Sequence, residues 1–322
     1  MKLKIILFRQ ILLTTVILIS YGQEVFSQRT GLGDWEQPGL FFGVSIGQSK
    51  SQILNSEIQS VPNIHSSKKN SMSASMEVGY FFSKHLGLTS GVIYNSYRGQ
   101  SNLETYQNQF NTVDIENESY EMRVSGSDIE ELQKVDIVGI PIYLNIRMPL
   151  NKTIGFYLQT GINFEFPLSK NYTSSGTFTY KGYFPVYNVV LENLPDYGFA
   201  SNITSKTDGT LDLKSISSSA IACAGFDFLV QKKIQIVLAI CYGKSLSSIS
   251  KYSSPKEFQL STSVDKLNSI MGGSSNSILQ ALGLKIGLRY YISGYTKNKY
   301  FSNHKPNKYL RGYRHRQKIY LE

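Results

Sequence analysis

Residues 71–82 read SMSASMEVGYFF, and they alternate between two kinds of side chain. Apolar residues occupy the even positions from Met72 to Phe82, with small or polar residues such as Ser75 and Glu77 between them. Because successive side chains of a strand point to opposite faces, the stretch predicts a strand with one apolar face. A soluble sandwich would bury that face in a protein core, whereas a membrane barrel would turn it toward lipid.

Seven further segments alternate in the same way, at 40–46, 86–95, 138–147, 155–166, 219–228, 234–243 and 282–290. Short connections at 83–85, 149–152 and 231–233 alternate along the chain with much longer ones. Long bare loops are uncommon in soluble domains, whereas outer-membrane barrels combine short periplasmic turns with long outer loops. The sequence therefore predicts an all-β fold, an eight-stranded antiparallel up-and-down transmembrane barrel over residues 39–292.

The apolar faces of these segments end in aromatic residues at two heights. Phe82, Phe156, Phe228 and Tyr290 stand near the short turns, and Tyr94, Phe166 and Tyr242 stand near the long loops. Two such girdles are typical of a membrane barrel, and a soluble sandwich gives no reason for them.

Pro141 falls inside the fourth predicted strand and has no N–H to donate. We expect a β-bulge at this position, because a closed barrel has no free edge.

The two ends of the chain differ from the barrel segment. Residues 1–28 combine basic Lys2 and Lys4 with a long apolar run, which predicts a signal peptide cleaved after Gly22 or Ser27; the alternative is an uncleaved anchor. A linker over 29–38 would lead into the barrel, and 293–322 would form a basic periplasmic tail. Together these features predict export to the outer membrane of a gram-negative cell, in contact with its lipid.

Five charged residues lie on the polar faces of the predicted strands: Glu77, Arg147, Asp227, Lys285 and Arg289. The lumen of an eight-stranded barrel is just wide enough to be filled by side chains. We therefore interpret the five charges as a structural network, with a conduction path as the alternative.

Cys223 and Cys241 are the only cysteines. They are equidistant from a turn centred on Lys232, so they would face each other across a hairpin inside the lumen. The cell envelope permits disulfides, and a cross-strand disulfide is one prediction. The alternative is a pair of small apolar side chains that fill space.

Two of the long loops have distinctive compositions. Residues 99–133 are acidic, which suggests either a loop that binds divalent cations or a loop that is only solvated. Residues 177–199 are rich in aromatic side chains, which suggests either strands that extend beyond the membrane or a segment folded over the mouth.

Four stretches, KVDIVGIPIYLNIRM (134–148), GFYLQTGINFEF (155–166), QIVLAICYGKSLSSI (235–249) and LGLKIGLRYYI (282–292), carry a family resemblance. They resemble the PorT-like outer-membrane β-barrel family, with an OmpA-like eight-stranded barrel. Membership would imply an accessory role in a protein-secretion system. The last stretch also resembles the terminal signal that the barrel-assembly machinery reads, which makes that machinery an expected partner.

The tail beyond Ile292 is a candidate docking arm for periplasmic or secretion-system proteins, unless it is only solvated. Its basic residues are Lys305, Lys308, Arg311, Arg314, Arg316 and Lys318. The chain carries a formal net charge of +10, but export argues against nucleic acid as a partner.

No catalytic constellation, phosphate loop or zinc spacing appears, so neither an enzyme nor a cofactor is expected. The four histidines are His65 in a predicted loop, His85 in a turn, and His304 and His315 in the tail. The first hypothesis is a non-enzymatic scaffold or interaction protein. A surface receptor or small-solute pore is the second, and a hydrolase built from loop residues is the third.

Overall fold

A computed structural model describes residues 39–56, 64–231, 233–251, 259–264, 266–274 and 276–292. The predicted signal peptide, linker and basic tail lie outside these residues, as do His304 and His315. No helix among the described residues has the length and apolar character needed to cross a membrane.

Twelve strands and two short 3-10 helices make up the described chain. The strands are β1 (Gly39–Ser56), β2 (Ile64–Phe81), β3 (Leu86–Val113), β4 (Ser119–Pro149), β5 (Ile154–Phe184), β6 (Val189–Leu191), β7 (Ile203–Thr210), β8 (Ser217–Gln231), β9 (Ile234–Ser245), β10 (Ser261–Ser263), β11 (Lys266–Leu267) and β12 (Asn276–Ile292). The 3-10 helices are η1 (Pro195–Tyr197) and η2 (Ile270–Gly273).

Eight of the strands close into a ring in the order β1, β2, β3, β4, β5, β8, β9 and β12. All neighbours are antiparallel, and β1 pairs with β12 to complete the circle. These are the eight predicted strands, so the prediction of an eight-stranded up-and-down barrel is confirmed. The strands β6 and β7 pair with β5 beyond the ring, and β10 pairs with β11.

Side chains are divided between the outer and inner faces of the ring as the alternation predicts. Outward side chains such as Val44, Met76 and Ile286 are exposed, whereas inward ones such as Ser75 and Glu77 are buried. The outward aromatic residues Phe82, Tyr290, Tyr94, Phe166 and Tyr242 are all exposed, at the two predicted heights.

The ring is not equally tall on all sides. β3, β4 and β5 continue well past the aromatic girdle at Tyr94 and Phe166, whereas β9 ends at Ser245. Each residue of a strand adds about 3.3 Å. The part of β5 beyond Phe166 is therefore on the order of 60 Å long, and it rises roughly 45 Å at a typical barrel tilt.

Much of the predicted acidic loop over 99–133 is strand, and in this respect the sequence prediction was wrong. β3 runs to Val113 and β4 begins at Ser119, so only 114–118 form the connection. The aromatic segment 177–199 extends β5 and adds β6 and η1, which is the first of its two predicted alternatives. His65 likewise lies on β2 and not in a loop.

Two register shifts explain why the alternation is hard to follow above the girdle. Between Asp136 and Ile137 of β4, the facing strand β5 carries Leu168 as an extra residue, and Leu168 is exposed. A second shift follows between Ser127 and Glu130 of β4, where Asp128 has a positive φ of 52°. One extra residue exchanges the two faces of the strand that carries it. Going away from the short turns, the inward positions therefore change from odd to even numbers, on β5 at Leu168 and on β4 at Asp128.

No bulge occurs at Pro141, so that expectation was wrong. β4 keeps its register with β5 across the pair Pro141–Asn163. On its other side, β4 pairs with β3 through Ile142–Ser90 and Gly139–Ile93, and these two pairs belong to the same register. The hydroxyl of Ser90 donates to the carbonyl of Pro141 at 2.8 Å, so a side chain contributes a hydrogen bond next to the missing N–H.

Deletion of Leu168 should expose the inward face of β5 above the girdle, because it removes the extra residue that sets which side chains point inward. We expect the part beyond residue 168 to become sensitive to limited proteolysis while the lower barrel stays heat-modifiable on gels. Leu168→Ala keeps the residue count and is the matched control. Equal protease protection of the deletion variant would show that the bulge does not set the faces.

Candidate functional site

The end of the lumen nearest the short turns is closed by aromatic rings and guanidinium groups. Phe41, Phe81 and Tyr291 point inward, with ring centroids 5.4–6.4 Å apart. The Arg147 guanidinium lies 4.2 Å from the Phe81 ring centroid, and that of Arg289 lies 4.8 Å from Phe41. These cation–π contacts make a packed plug. The inward position of Phe41, between Leu40 and Phe42, follows from the alternation of β1, although the sequence interpretation did not use it.

Above the plug, Glu77 interacts with two of the other predicted luminal charges. Lys285 Nζ donates to Glu77 Oε1, and Arg289 Nη2 lies 3.6 Å from Glu77 Oε2. Arg289 also donates to the Tyr157 hydroxyl at 2.7 Å. Glu77, Arg289 and Tyr157 are buried and Lys285 is 14% exposed, so removal of one charge would leave its partners uncompensated.

Arg147 and Asp227 belong to the same layer but are linked through other side chains. Arg147 Nη1 donates to the Tyr291 hydroxyl at 3.1 Å, which donates to Gln235 Oε1 at 2.8 Å. Gln235 Nε2 then donates to Asp227 Oδ2 at 2.7 Å. The structure thus brings all five predicted luminal charges to one end of the barrel.

Glu165 is a sixth luminal charge that the sequence interpretation did not single out. It is fully buried on β5 and accepts hydrogen bonds from Asn163 at 3.1 Å, Ser219 at 2.7 Å and Ser217 at 3.4 Å. Its inward position follows from the alternation over 155–166. With Glu165, the named luminal side chains comprise three acids and three bases.

A cavity of about 80 Å³ lies above the Glu77 layer. Its lining includes Ser49, Ser71, Asn95, Gln159 and Lys285. Among the described residues, the buried Nδ2 of Asn95 and Nε2 of Gln159 have no hydrogen-bond partner. A water needs roughly 10–15 Å³ of such space, so the cavity has room for a small cluster of waters.

Cys223 and Cys241 also line this cavity. They are directly opposite in the β8–β9 register, and the structure joins them as a disulfide. The bond therefore joins the two strands of one hairpin inside the lumen, which is the first of the two alternatives given in the sequence analysis.

An apolar core closes the lumen above the cavity. Tyr97 lines the cavity and also packs in this core. Its other buried members are Ile53, Val135, Ile137, Leu211, Leu213, Ile249, Met271 and Leu279. A second apolar core, with Tyr120, Val124, Phe178 and Tyr180, continues inside the tall part of the wall. The sequence interpretation missed both cores. The first combines strand residues with Leu211, Ile249 and Met271 from connections that are distant in sequence. The alternation of the second is hidden by the register shifts, beyond which Val124, Phe178 and Tyr180 lie at even positions.

Glu131 forms hydrogen bonds that hold the η2 segment against the tall wall beyond the aromatic girdle. Its buried carboxylate accepts hydrogen bonds from Ser269 Oγ at 2.8 Å, Ile270 N at 2.6 Å and Gln133 Nε2 at 2.6 Å. Burial raises the pKa of Glu131 above the ordinary glutamate value, and this effect outweighs the hydrogen bonds, which lower it.

The described histidines lie apart from any catalytic arrangement. His65 is exposed on β2, and His85 Nδ1 is 2.9 Å from the Arg147 carbonyl oxygen in a turn. Among the residues that the structure describes, no three His, Cys, Asp or Glu side chains are grouped as a metal site would require.

The model of a family described as "Outer membrane protein beta-barrel domain" matches residues 27–251. The chain belongs to this outer-membrane β-barrel family. It is therefore a protein of the gram-negative outer membrane, and its short turns face the periplasm. The comparison with curated proteins found no match.

Several solved outer-membrane proteins are similar to this chain at low identity. Neisserial surface protein A is 11% identical, with a TM-score of 0.31, and the match covers 77% of this chain and 96% of that one. OprG from Pseudomonas aeruginosa is 13% identical, with a TM-score of 0.33 and coverage of 80% and 98%. Ail from Yersinia pestis, in complex with a heparin analogue, is 11% identical, with a TM-score of 0.27 and coverage of 78% and 99%.

Glu77→Gln should lower the free energy of unfolding in urea by about 3 kcal/mol, because it leaves the buried Arg289 and the largely enclosed Lys285 without their carboxylate. The double variant Glu77→Gln with Lys285→Met should recover part of this loss. Circular dichroism of the barrel in detergent measures both, with Glu104→Gln on the exposed face of β3 as control. A loss as small as that of the control would show that the Glu77 ion pairs do not stabilise the barrel.

The raised pKa of Glu131 gives the outer region a defined pH dependence. The stabilisation is complete below the ordinary glutamate pKa, because the protonated form is favoured in the fold. It is lost as the pH rises through the raised folded-state pKa. Protease protection of the outer region should therefore fall over this window in the wild type, and less so in Glu131→Gln. The neighbouring exposed Glu130→Gln should behave as the wild type; an unchanged profile for Glu131→Gln would contradict this assignment.

Proposed function

We propose that the protein is a non-enzymatic, non-conducting outer-membrane barrel that acts by binding a partner at the cell surface. The observation that carries the proposal is the closure of the lumen at two levels. Arg147, Phe81 and Tyr291 pack at the periplasmic end, and the apolar core around Tyr97 packs above the cavity. Between these levels, the cavity formed by the described residues has room for only a few waters.

The tall wall supports a binding role over a purely structural one. β3, β4 and β5 extend roughly 45 Å beyond the membrane, and their inner face has its own apolar core. A barrel that only filled the membrane would need no such extension. Its folded, packed form offers a rigid surface at the greatest distance from the lipid.

The absence of enzymatic activity is part of this proposal. It rests on His65 and His85: among the described residues, no hydrogen bond joins either imidazole ring to a hydroxyl nucleophile or a carboxylate. A hydrolase would need another set of residues in the outer loops.

A more specific version follows from the resemblance to PorT-like barrels. In that version the protein assists a secretion system, and the basic tail beyond Ile292 contacts periplasmic components. It stays a prediction from the sequence, because the tail lies outside the described residues.

Planar-bilayer recordings test the closed lumen. The purified full chain, inserted in bilayers and verified as folded by its heat-modifiable mobility, should give no steady conductance in 1 M KCl, while a general porin in the same bilayers conducts. A steady step that scales with salt concentration would overturn the proposal in favour of a small-solute pore.

A further inference from the structure

Two turns meet at the far end of the tall wall. Residues 114–118 connect β3 to β4, and residues 185–188 connect β5 to β6. The Tyr187 hydroxyl donates to Glu118 Oε1 at 3.1 Å, which joins the two turns. We call these two turns, together with the flanking residues 113, 119–121 and 189–198, the distal tip.

The distal tip has a fixed shape. Asn117 and Asn188 hold the left-handed conformation that tight turns require, with φ of 64° and 51°. Asp114 Oδ1 accepts from the N–H groups of residues 116 and 118 at 2.8 and 2.9 Å. Beneath the turns, the Tyr120 and Phe184 rings stack with centroids 5.1 Å apart. A partner would therefore meet a preformed surface.

Carboxylates dominate the charge of the tip: Asp114, Glu116, Glu118, Glu121, Glu192 and Asp196. Glu121 pairs with Arg123 at 2.6 Å, and Glu192 pairs with Lys181 at 2.6 Å. Within the described part of the chain, no ion pair involves the other four. This acidity is local, because the whole chain carries a net charge of +10.

Exposed apolar side chains lie among these carboxylates. Val186 is 84% exposed and Ile115 is 77% exposed, and Tyr187 is also largely exposed. Val113, Val189 and Val190 add to the exposed set. They lie beyond the girdle, so lipid does not cover them. Exposed apolar groups of this kind mark a contact surface.

We propose that the distal tip binds a cationic amphipathic segment of another protein, and this inference rests on the proposed binding role. Lysine and arginine side chains of the partner would neutralise Glu116, Glu118 and Asp196, while its apolar side chains would cover Ile115 and Val186. A purely cationic ligand would leave the apolar groups in water. A purely apolar ligand would desolvate the carboxylates without pairing them, which is unfavourable.

The test uses the full chain in nanodiscs of zwitterionic lipid, with empty nanodiscs as reference. The probe is a fluorescent 18-residue helix of lysine and leucine with one apolar face. Oligolysine of equal charge and a glutamate–leucine helix are the comparison peptides. We expect the lysine–leucine helix to bind at least about tenfold more tightly than either comparison peptide, since only it satisfies both features of the tip.

Two variants locate the binding site. Ile115→Ser with Val186→Ser should raise the Kd about tenfold, and Glu116→Gln with Asp196→Asn should do the same and weaken the salt dependence. Leu168→Ser and Glu130→Gln are the matched controls, because they change exposed residues of the same wall outside the tip. A Kd unchanged by both tip variants, or oligolysine binding as tightly as the helix, would overturn the inference.

The result is separable from that of the conductance experiment. A closed barrel that does not bind the helix would remove only this inference. A conducting barrel would remove the proposed function, whatever the peptides do.

Discussion

The closed ring of backbone hydrogen bonds is the constraint on which the rest of the structure depends. No water in the hydrocarbon layer can satisfy a free N–H or C=O group, so a sheet can cross only if its first and last strands pair. Here β1 and β12 pair along their whole length, from Leu40–Ile292 to Ser56–Asn276. Once the ring is closed, the alternation of each strand decides which side chains face lipid and which fill the lumen.

The same ring is used for two different interiors. At the level of the membrane the lumen contains a charged layer above the aromatic plug, in which Glu77 pairs with Lys285 and Arg289. Beyond the girdle the interior contains an apolar core, as in a soluble protein. The register shift beside Leu168 lies near the level where this change begins, next to Ile137 of the first apolar core, and strand pairing continues on both sides of it.

The sequence alone predicts the membrane-level structure well and the outer region poorly, for a physical reason. Alternation with a period of two is unbroken from Ser71 to Phe82, and it places Glu77 inside without knowledge of any contact; the alternation over 219–228 does the same for Cys223. Above the girdle each extra residue inverts the pattern, so 99–133 resembles an acidic loop although most of it is strand. The tip combines turns that are distant in sequence, and no local pattern predicts the Tyr187–Glu118 contact.

The unequal height of the wall has a consequence for how the protein searches its surroundings. Three of the eight ring strands carry the distal tip, so the tip lies to one side of the barrel axis. Rotation of the barrel in the plane of the membrane therefore carries the tip around a circle. A binding surface on the axis would stay in place during this rotation, whereas an eccentric one presents itself in turn to every neighbour around the barrel.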